Sequence, residues 1–258
     1  MTKAATECGI PWSLEPGGCA AIPLPADESI ASVARAQVRT LLPVLGLAVK
    51  DADDVAIMVS ELATNVLQHA TPRSGRSRAE LWVYQRASVL GGDELVVKAF
   101  DSLRQWRRPP ERVGGMHEHG RGLEIIELLT AGRWGHHPTR SRLSSPVVRG
   151  KATWFAVPAT RTGHPRPLAP RTAGTSSMRD LQAMLVQRGL QRLAPRNELG
   201  VAMLSAPGEL TVWCETATFR WCARSGETGK LPVTDITEVC EQLVRVYEGL
   251  SEGGDDRQ

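Results

Sequence analysis

Apolar residues at Val55, Met58, Val59, Leu62, Val66, Leu67 and Ala70 follow the i, i+3, i+4, i+7 spacing of a helix with one face in a core. This predicts a helix from about Ala52 to Ala70, ended by Thr71-Pro72. Ile30, Val33, Val38, Leu41, Leu42 and Leu45 predict another over 28–46, with Gly46 as its stop and Pro43 shortening or bending its last turn. β-forming residues crowd 79–85 and 94–100 on either side of Gly91-Gly92, the pattern of paired strands. Leu123, Ile126 and Leu129 predict a helix opened by Gly120-Arg121-Gly122, and 143–149 with 151–157 read as a closing hairpin turning near Gly150. Between these lies 102–119, rich in Arg, Pro and Gly, which reads as a lid over a site.

The punctuation divides the chain. Residues 1–26, rich in Gly and Pro, read as a flexible leader, and 27–158 as a first domain. A Pro/Arg/Thr linker follows over 159–176. Residues 177–250 read as a small α+β domain: a helix near 178–188 with a core stripe of Met178, Leu181 and Leu185, strands near 200–205, 210–215 and 218–223, and a helix near 234–249. Trp213 and Trp221 fall in its meander as sheet residues, and 251–258 reads as a disordered tail. No internal repeat is visible.

Composition narrows the classes. A formal charge of +3 over 258 residues, without a long basic run, gives no case for direct nucleic-acid binding. No apolar run reaches the roughly 20 residues of a membrane span, and the first residues lack the apolar core of a signal peptide, so a cytoplasmic protein is expected. Five cysteines with no Cys-x-x-Cys pair support neither a zinc site nor a disulfide framework.

Candidate chemistry sits in three separated places. Glu61, Asn65 and His69 form a polar stripe beside the apolar face of the second helix, each turned roughly 40° from the last at about 100° per residue. A carboxylate and an amide there can line a cleft, or can be ordinary solvated surface; His69 has a sufficient account in the helix dipole. Asp101 ends a strand, where it can accept a hydrogen bond from a ligand amine or merely cap a turn. Gly120-x-Gly122 at a helix start lets backbone N–H groups approach a phosphate, or serves a tight turn. The arginines at 104, 107, 108 and 112, with His119, are phosphate contacts or a solvated loop.

Taken in order, these segments resemble the ATP-binding domain shared by histidine kinases, gyrase and Hsp90, above all its anti-sigma-factor serine/threonine kinase branch in actinobacterial regulators. The resemblance spans about 28–158. It rests on Glu61-Leu-Ala-Thr-Asn65 with His69-Ala70, on the strand-end Asp101, on Gly120-Arg121-Gly122-Leu123 with Trp134-Gly135, and on Gly150-Lys151-Ala152-Thr153-Trp154-Phe155. It implies an α+β, two-layer α/β sandwich (the Bergerat ATP-binding fold), with a mixed sheet and helices on one face, plus the small C-terminal α+β domain. It further implies ATP and Mg²⁺ as cofactors, with Asn65 as the metal ligand and Glu61 as the catalytic base of any kinase activity. Asp101 would read adenine, and Gly120, Arg121, Gly122 and Leu123 would form the phosphate end. Partners implied are a sigma factor or an anti-sigma-factor antagonist, bound without nucleic acid or membrane, with a homodimer open. The sequence departs from the family's pattern at Ser102-Leu103, where Asp-x-Gly is common, and at Ala152, where a threonine is common. Two functions follow: a kinase that phosphorylates Ser or Thr on an antagonist, or a non-catalytic ATP-responsive switch. A sensor kinase would need a dimerising phosphoacceptor helix, and a gyrase-like machine a larger transducer region.

Overall fold

In a computed structural model, residues 18–45, 47–69, 79–88, 90–104, 121–162, 173–198 and 200–255 are described. The apolar stripes place three helices, α1 (Ile30–Val44), α2 (Ala52–His69) and α3 (Arg121–Thr130), on one face of a six-stranded sheet. The sheet comprises β1 (Cys19–Leu24), β2 (Leu47–Val49), β3 (Ala79–Ala87), β4 (Asp93–Asp101), β5 (Trp134–Arg140) and β6 (Arg149–Arg161). Its order is β1-β3-β4-β6-β2, with β5 also on β6. Val38, Leu41, Met58, Val59, Leu62 and Ile126 meet the inward residues Leu81, Val83, Leu95, Val97 and Phe155. Burying each such side chain contributes about 1.5–3 kcal/mol. Pro43 lies inside the last turn of α1, which still runs to Val44.

The sheet is not mixed: every pairing among the described strands is antiparallel. A parallel neighbour needs a crossover that returns the chain in the same direction. Here α1, β2 and α2 bring β3 back antiparallel to β1, and a tight turn with Gly91 and Gly92 at positive φ joins β3 to β4. The leader is not all loose, because Ala20, Ile22 and Leu24 alternate inward and make β1 an edge strand. The closing hairpin pairs β5 with β6, not 143–149 with 151–157; residues 141–148 lie between the two strands. Trp-Gly-His-His-Pro-Thr-Arg carries a Pro and a Gly that hide its strand character, both tolerated at an edge. Gly150 is not a turn residue. It lies inside β6, where an added Cβ would overlap the Asp101 carbonyl and come within 2.7 and 2.8 Å of the Phe100 ring.

The second unit is also larger than expected. The linker predicted over 159–176 shortens, since β6 runs to Arg161 and α4 (Ala173–Gln187) begins before 176; residues 163–172 lie outside the described set. A five-stranded antiparallel meander follows: β7 (Ala194–Glu198), β8 (Val201–Ala206), β9 (Leu210–Glu215), β10 (Thr218–Cys222) and β11 (Thr228–Pro232). β7 and β11, Ala-Pro-Arg-Asn-Glu and Thr-Gly-Lys-Leu-Pro, lack apolar alternation and are strands by backbone pairing to β8 and β10. A 3₁₀ turn, Val233–Asp235, leads into α5 (Ile236–Asp255), which continues helical into the expected tail. Met178, Leu181 and Leu185 of α4, Leu204, Val212 and Phe219 of the sheet, and Val239, Cys240, Leu243 and Val244 of α5 form its core. Trp221 is buried with its indole over Gly229, and Trp213 is half-buried.

The helix α5 has a second face. Glu238, Glu241 and Glu248, spaced three and seven residues apart, point away from that core and onto the first sheet. They cover the face opposite α1–α3, which carries Glu80, Trp82, Tyr84, Glu94, Lys98 and Phe100. No helix among the described residues is long and apolar enough to cross a membrane.

Candidate functional site

Glu61 and Asn65 stand one turn apart on α2, both half-buried, at the border between its apolar face and open surface. The side chain of His69 lies outside the described residues. Gly122, the second residue of α3, is buried directly against Glu61. A Cβ at position 122 would overlap the Glu61 carboxylate, with Cδ at 3.2 Å and Cβ at 3.3 Å. Glycine lets the start of α3 sit this close with the Glu61 carboxylate in its present position; a larger residue would make that carboxylate turn away. Arg121 is exposed at the first position of α3, and Leu123 packs half-buried on the core. Gly120 lies outside the described residues, as do Arg107, Arg108, Arg112, His119 and most of the expected 102–119 lid.

Asp101 ends β4 and is in cross-strand register with Lys151 of β6. Alternation along β4 puts it on the α1–α3 side with Ala99 and Val97. It is 4% exposed. Its Oδ1 accepts the Leu103 N–H at 2.8 Å, and Lys151 Nζ lies 3.1 Å from Oδ1 and 3.0 Å from Oδ2. Lys151 Nζ also donates to the Leu103 carbonyl at 3.0 Å. The acid at the strand end is therefore held in an ion pair and a tight turn. His136, in register with Thr153, has its pKa lowered by burial first and by the nearby Lys151 second. Nothing in the sequence alone marks Lys151 as the partner of Asp101. Pairing the end of β4 with the start of β6 would have found it, because Asp101 and Lys151 then become opposite.

On the other face of the sheet, ionic groups fill what is usually apolar. Glu241, 1% exposed, meets Arg188, Arg142 (2.7 Å) and Lys98 (3.6 Å). Burial pushes its pKa up, but Arg188, Arg142 and Lys98 together outweigh it and hold the carboxyl well below the usual range. Glu238 accepts from the Tyr84 hydroxyl at 2.5 Å and from Arg86 at 3.1 Å. Glu80 accepts from Trp82 Nε1, the Ser141 hydroxyl and the Arg142 N–H. The guanidinium carbons of Arg188 and Arg142 lie 4.8 and 5.3 Å from the Trp82 ring centre, and that ring stacks on Phe100. Lys98 Nζ lies 3.2 Å from His137 Nε2. Burial first, then Lys98, holds His137 down to about 3, so the imidazole is neutral at pH 7.

The described residues contain no group of three or more His, Cys, Asp or Glu side chains suited to a metal ion. No protein-family model matches the chain, and no curated protein matches it.

Proposed function

We propose that the first sheet with α2 and α3 is an ATP- and Mg²⁺-binding module of the Bergerat type, serving a regulatory protein similar to the anti-sigma serine/threonine kinases. The observation that carries this reading is the contact of Glu61 with Gly122. It puts the acid of α2 at the N-terminal end of α3, where backbone N–H groups and the helix dipole favour a phosphate. Asp101 adds support as a buried acid at the end of β4, on the same side of the sheet.

The donor set fits the metal expected with a nucleotide. Mg²⁺ keeps several waters and takes phosphate oxygens, so one neutral amide oxygen from half-exposed Asn65 suffices on the protein side. The bound nucleotide would supply the phosphoryl group; the chain's own share is position and charge. Glu61 would accept the hydroxyl proton of an attacking Ser or Thr on an antagonist protein. Gly122 lets α3 come close, and Arg121 stands exposed beside it.

One observation favours a second reading, a non-catalytic switch in which the nucleotide alters binding of a sigma factor or its antagonist. Arg104, three residues past Asp101, is held by Glu248 of the second unit, so the chain just beyond Asp101 is tied to that unit.

A thermal shift with Mg-ATP tests both. Ligand at about 100 times its dissociation constant adds roughly 2.7 kcal/mol, which for this chain raises Tm by about 5–10 °C. Asn65→Ala should lose the rise while Glu61→Ala keeps it, and a flat wild-type response removes both readings. Transfer of labelled phosphate to an antagonist, lost in Glu61→Ala, would select the kinase.

A further inference from the structure

We infer that Glu248 of α5 is a positioning residue for the base end of the nucleotide site, so that docking of the C-terminal unit sets nucleotide affinity. This rests on the reading of the site given above, and it adds a regulator of that site.

The geometry is a single buried carboxylate serving three guanidinium groups at one end of the first sheet. Glu248 is 0% exposed. Its Oε1 accepts from Arg140 Nε at 2.5 Å, and its Oε2 lies 3.2 Å from both Arg104 Nη1 and Arg149 Nε. Its backbone carbonyl accepts from Arg104 Nη2 at 3.1 Å. Arg104 follows Asp101 by three residues, and Arg149 precedes Lys151 by two. The two segments that present the Asp101–Lys151 pair are thus both tied to the same carboxylate of another unit.

Movement has a direct route between them. Gly150, between Arg149 and Lys151, packs against the Asp101 carbonyl and the Phe100 ring with no room for a methyl group. Leu103, next to Arg104, bonds Asp101 through its N–H and Lys151 through its carbonyl. Neutralising Glu248 leaves the buried Arg140 and the partly solvent-exposed Arg104 and Arg149 facing one another without their shared anion. They separate, and the Leu103–Arg104 and Arg149–Gly150 segments move with them, shifting the Asp101–Lys151 pair at the end of the ladder. Glu241 provides the contrast. It docks the same helix on the same sheet through Lys98, Arg142 and Arg188, at a distance along the helix from Glu248.

The test is a fluorescence titration of the full chain with a fluorescent ATP analogue and Mg²⁺, on variants shown folded by circular dichroism at the temperature used. Glu248→Gln is expected to raise Kd about 10-fold, within the span of ordinary coupling between sites, while Glu241→Gln stays within about 1.5-fold. Arg149→Gln leaves Glu248 paired with Arg140 and Arg104; it should raise Kd by about 3-fold, and serves as the decisive variant if Glu248→Gln does not fold. By reciprocity, analogue binding should slow amide exchange near residue 248 in the wild type. Tight binding by wild type with unchanged Kd in Glu248→Gln and Arg149→Gln overturns this inference alone. Equal losses in Glu248→Gln and Glu241→Gln overturn it too, as a general docking effect. A wild type that binds no analogue overturns the functional reading and this inference together.

Discussion

On one face of the first sheet, Leu81, Val83, Leu95, Val97 and Phe155 meet the apolar stripes of α1, α2 and α3; on the other, Glu80, Glu94 and Lys98 meet Glu238 and Glu241 of α5 together with arginines at 86, 142 and 188. Both faces are buried, by different physics. The apolar face gains from removing area from water, a term that is large and carries little direction. The ionic face gains little net energy, because desolvating each charge offsets most of the attraction. What it contributes is orientation, since every carboxylate there has particular partners at particular distances. The helix side holds the fold together, and the α5 side fixes how the second unit sits.

This contrast can be broken most sharply at Glu241. Glu241→Ala leaves Arg188, Arg142 and Lys98 buried without their anion and should cost about 3–5 kcal/mol in a urea melt. Leu62→Ala on the apolar side should cost about 2–5 kcal/mol through a cavity. The two should separate at pH 4, where the carboxylate variant loses part of its disadvantage and the cavity variant does not. A loss below 1 kcal/mol for Glu241→Ala would mean the ionic face is wet and unimportant.

Acid should act next, and through the same face. His137 is held neutral with its pKa at about 3, so between 6.5 and 3 the unfolded chain binds a proton that the folded chain refuses. Stability contributed by this group is complete above 6.5 and falls as pH drops, at about 1.4 kcal/mol per unit, or about 2 kcal/mol by pH 5. Below about 4.5 the depressed carboxyls of Glu238 and Glu241 steepen the loss in the same direction. Equilibrium melts from pH 7 to 5 should show this slope in wild type and a flatter one in His137→Gln. The smallest effect is expected at Leu90, 81% exposed beside the β3–β4 turn, where Leu90→Ser should change stability by less than about 0.5 kcal/mol.

How far the sequence carried the site can be judged residue by residue. Helical spacing put Glu61 and Asn65 on one border stripe of α2, and the structure has both half-buried there. The β-forming run ending at Phe100 put Asp101 at a strand terminus, as found. The sequence marks Gly122 as a residue that lets something approach, and in the structure what approaches it is Glu61, sixty-one positions earlier. The Asp101–Lys151 pair was missed because neither residue is unusual alone and only the β4–β6 register makes them opposite. The sequence leaves the arginines near 104–112 as phosphate contacts or a solvated loop, whereas Arg104 reaches across to α5.

The sequence by itself determined which face of each regular element is apolar, because that follows from a local period of 3.6 or 2. It therefore specified α1, α2, α3, the β3–β4 hairpin and the core stripe of α4. Only the tertiary structure decided where β5, β7 and β11 run, since edge strands are made by a neighbour's backbone rather than by their own pattern. It also decided the meaning of Glu238, Glu241 and Glu248. An acidic stripe on a helix looks the same whether it faces water or a wall of arginines, and those arginines stand 99 and 53 positions away for Glu241. A charge's contribution depends on what lies opposite it, and folding alone brings the opposite side into place.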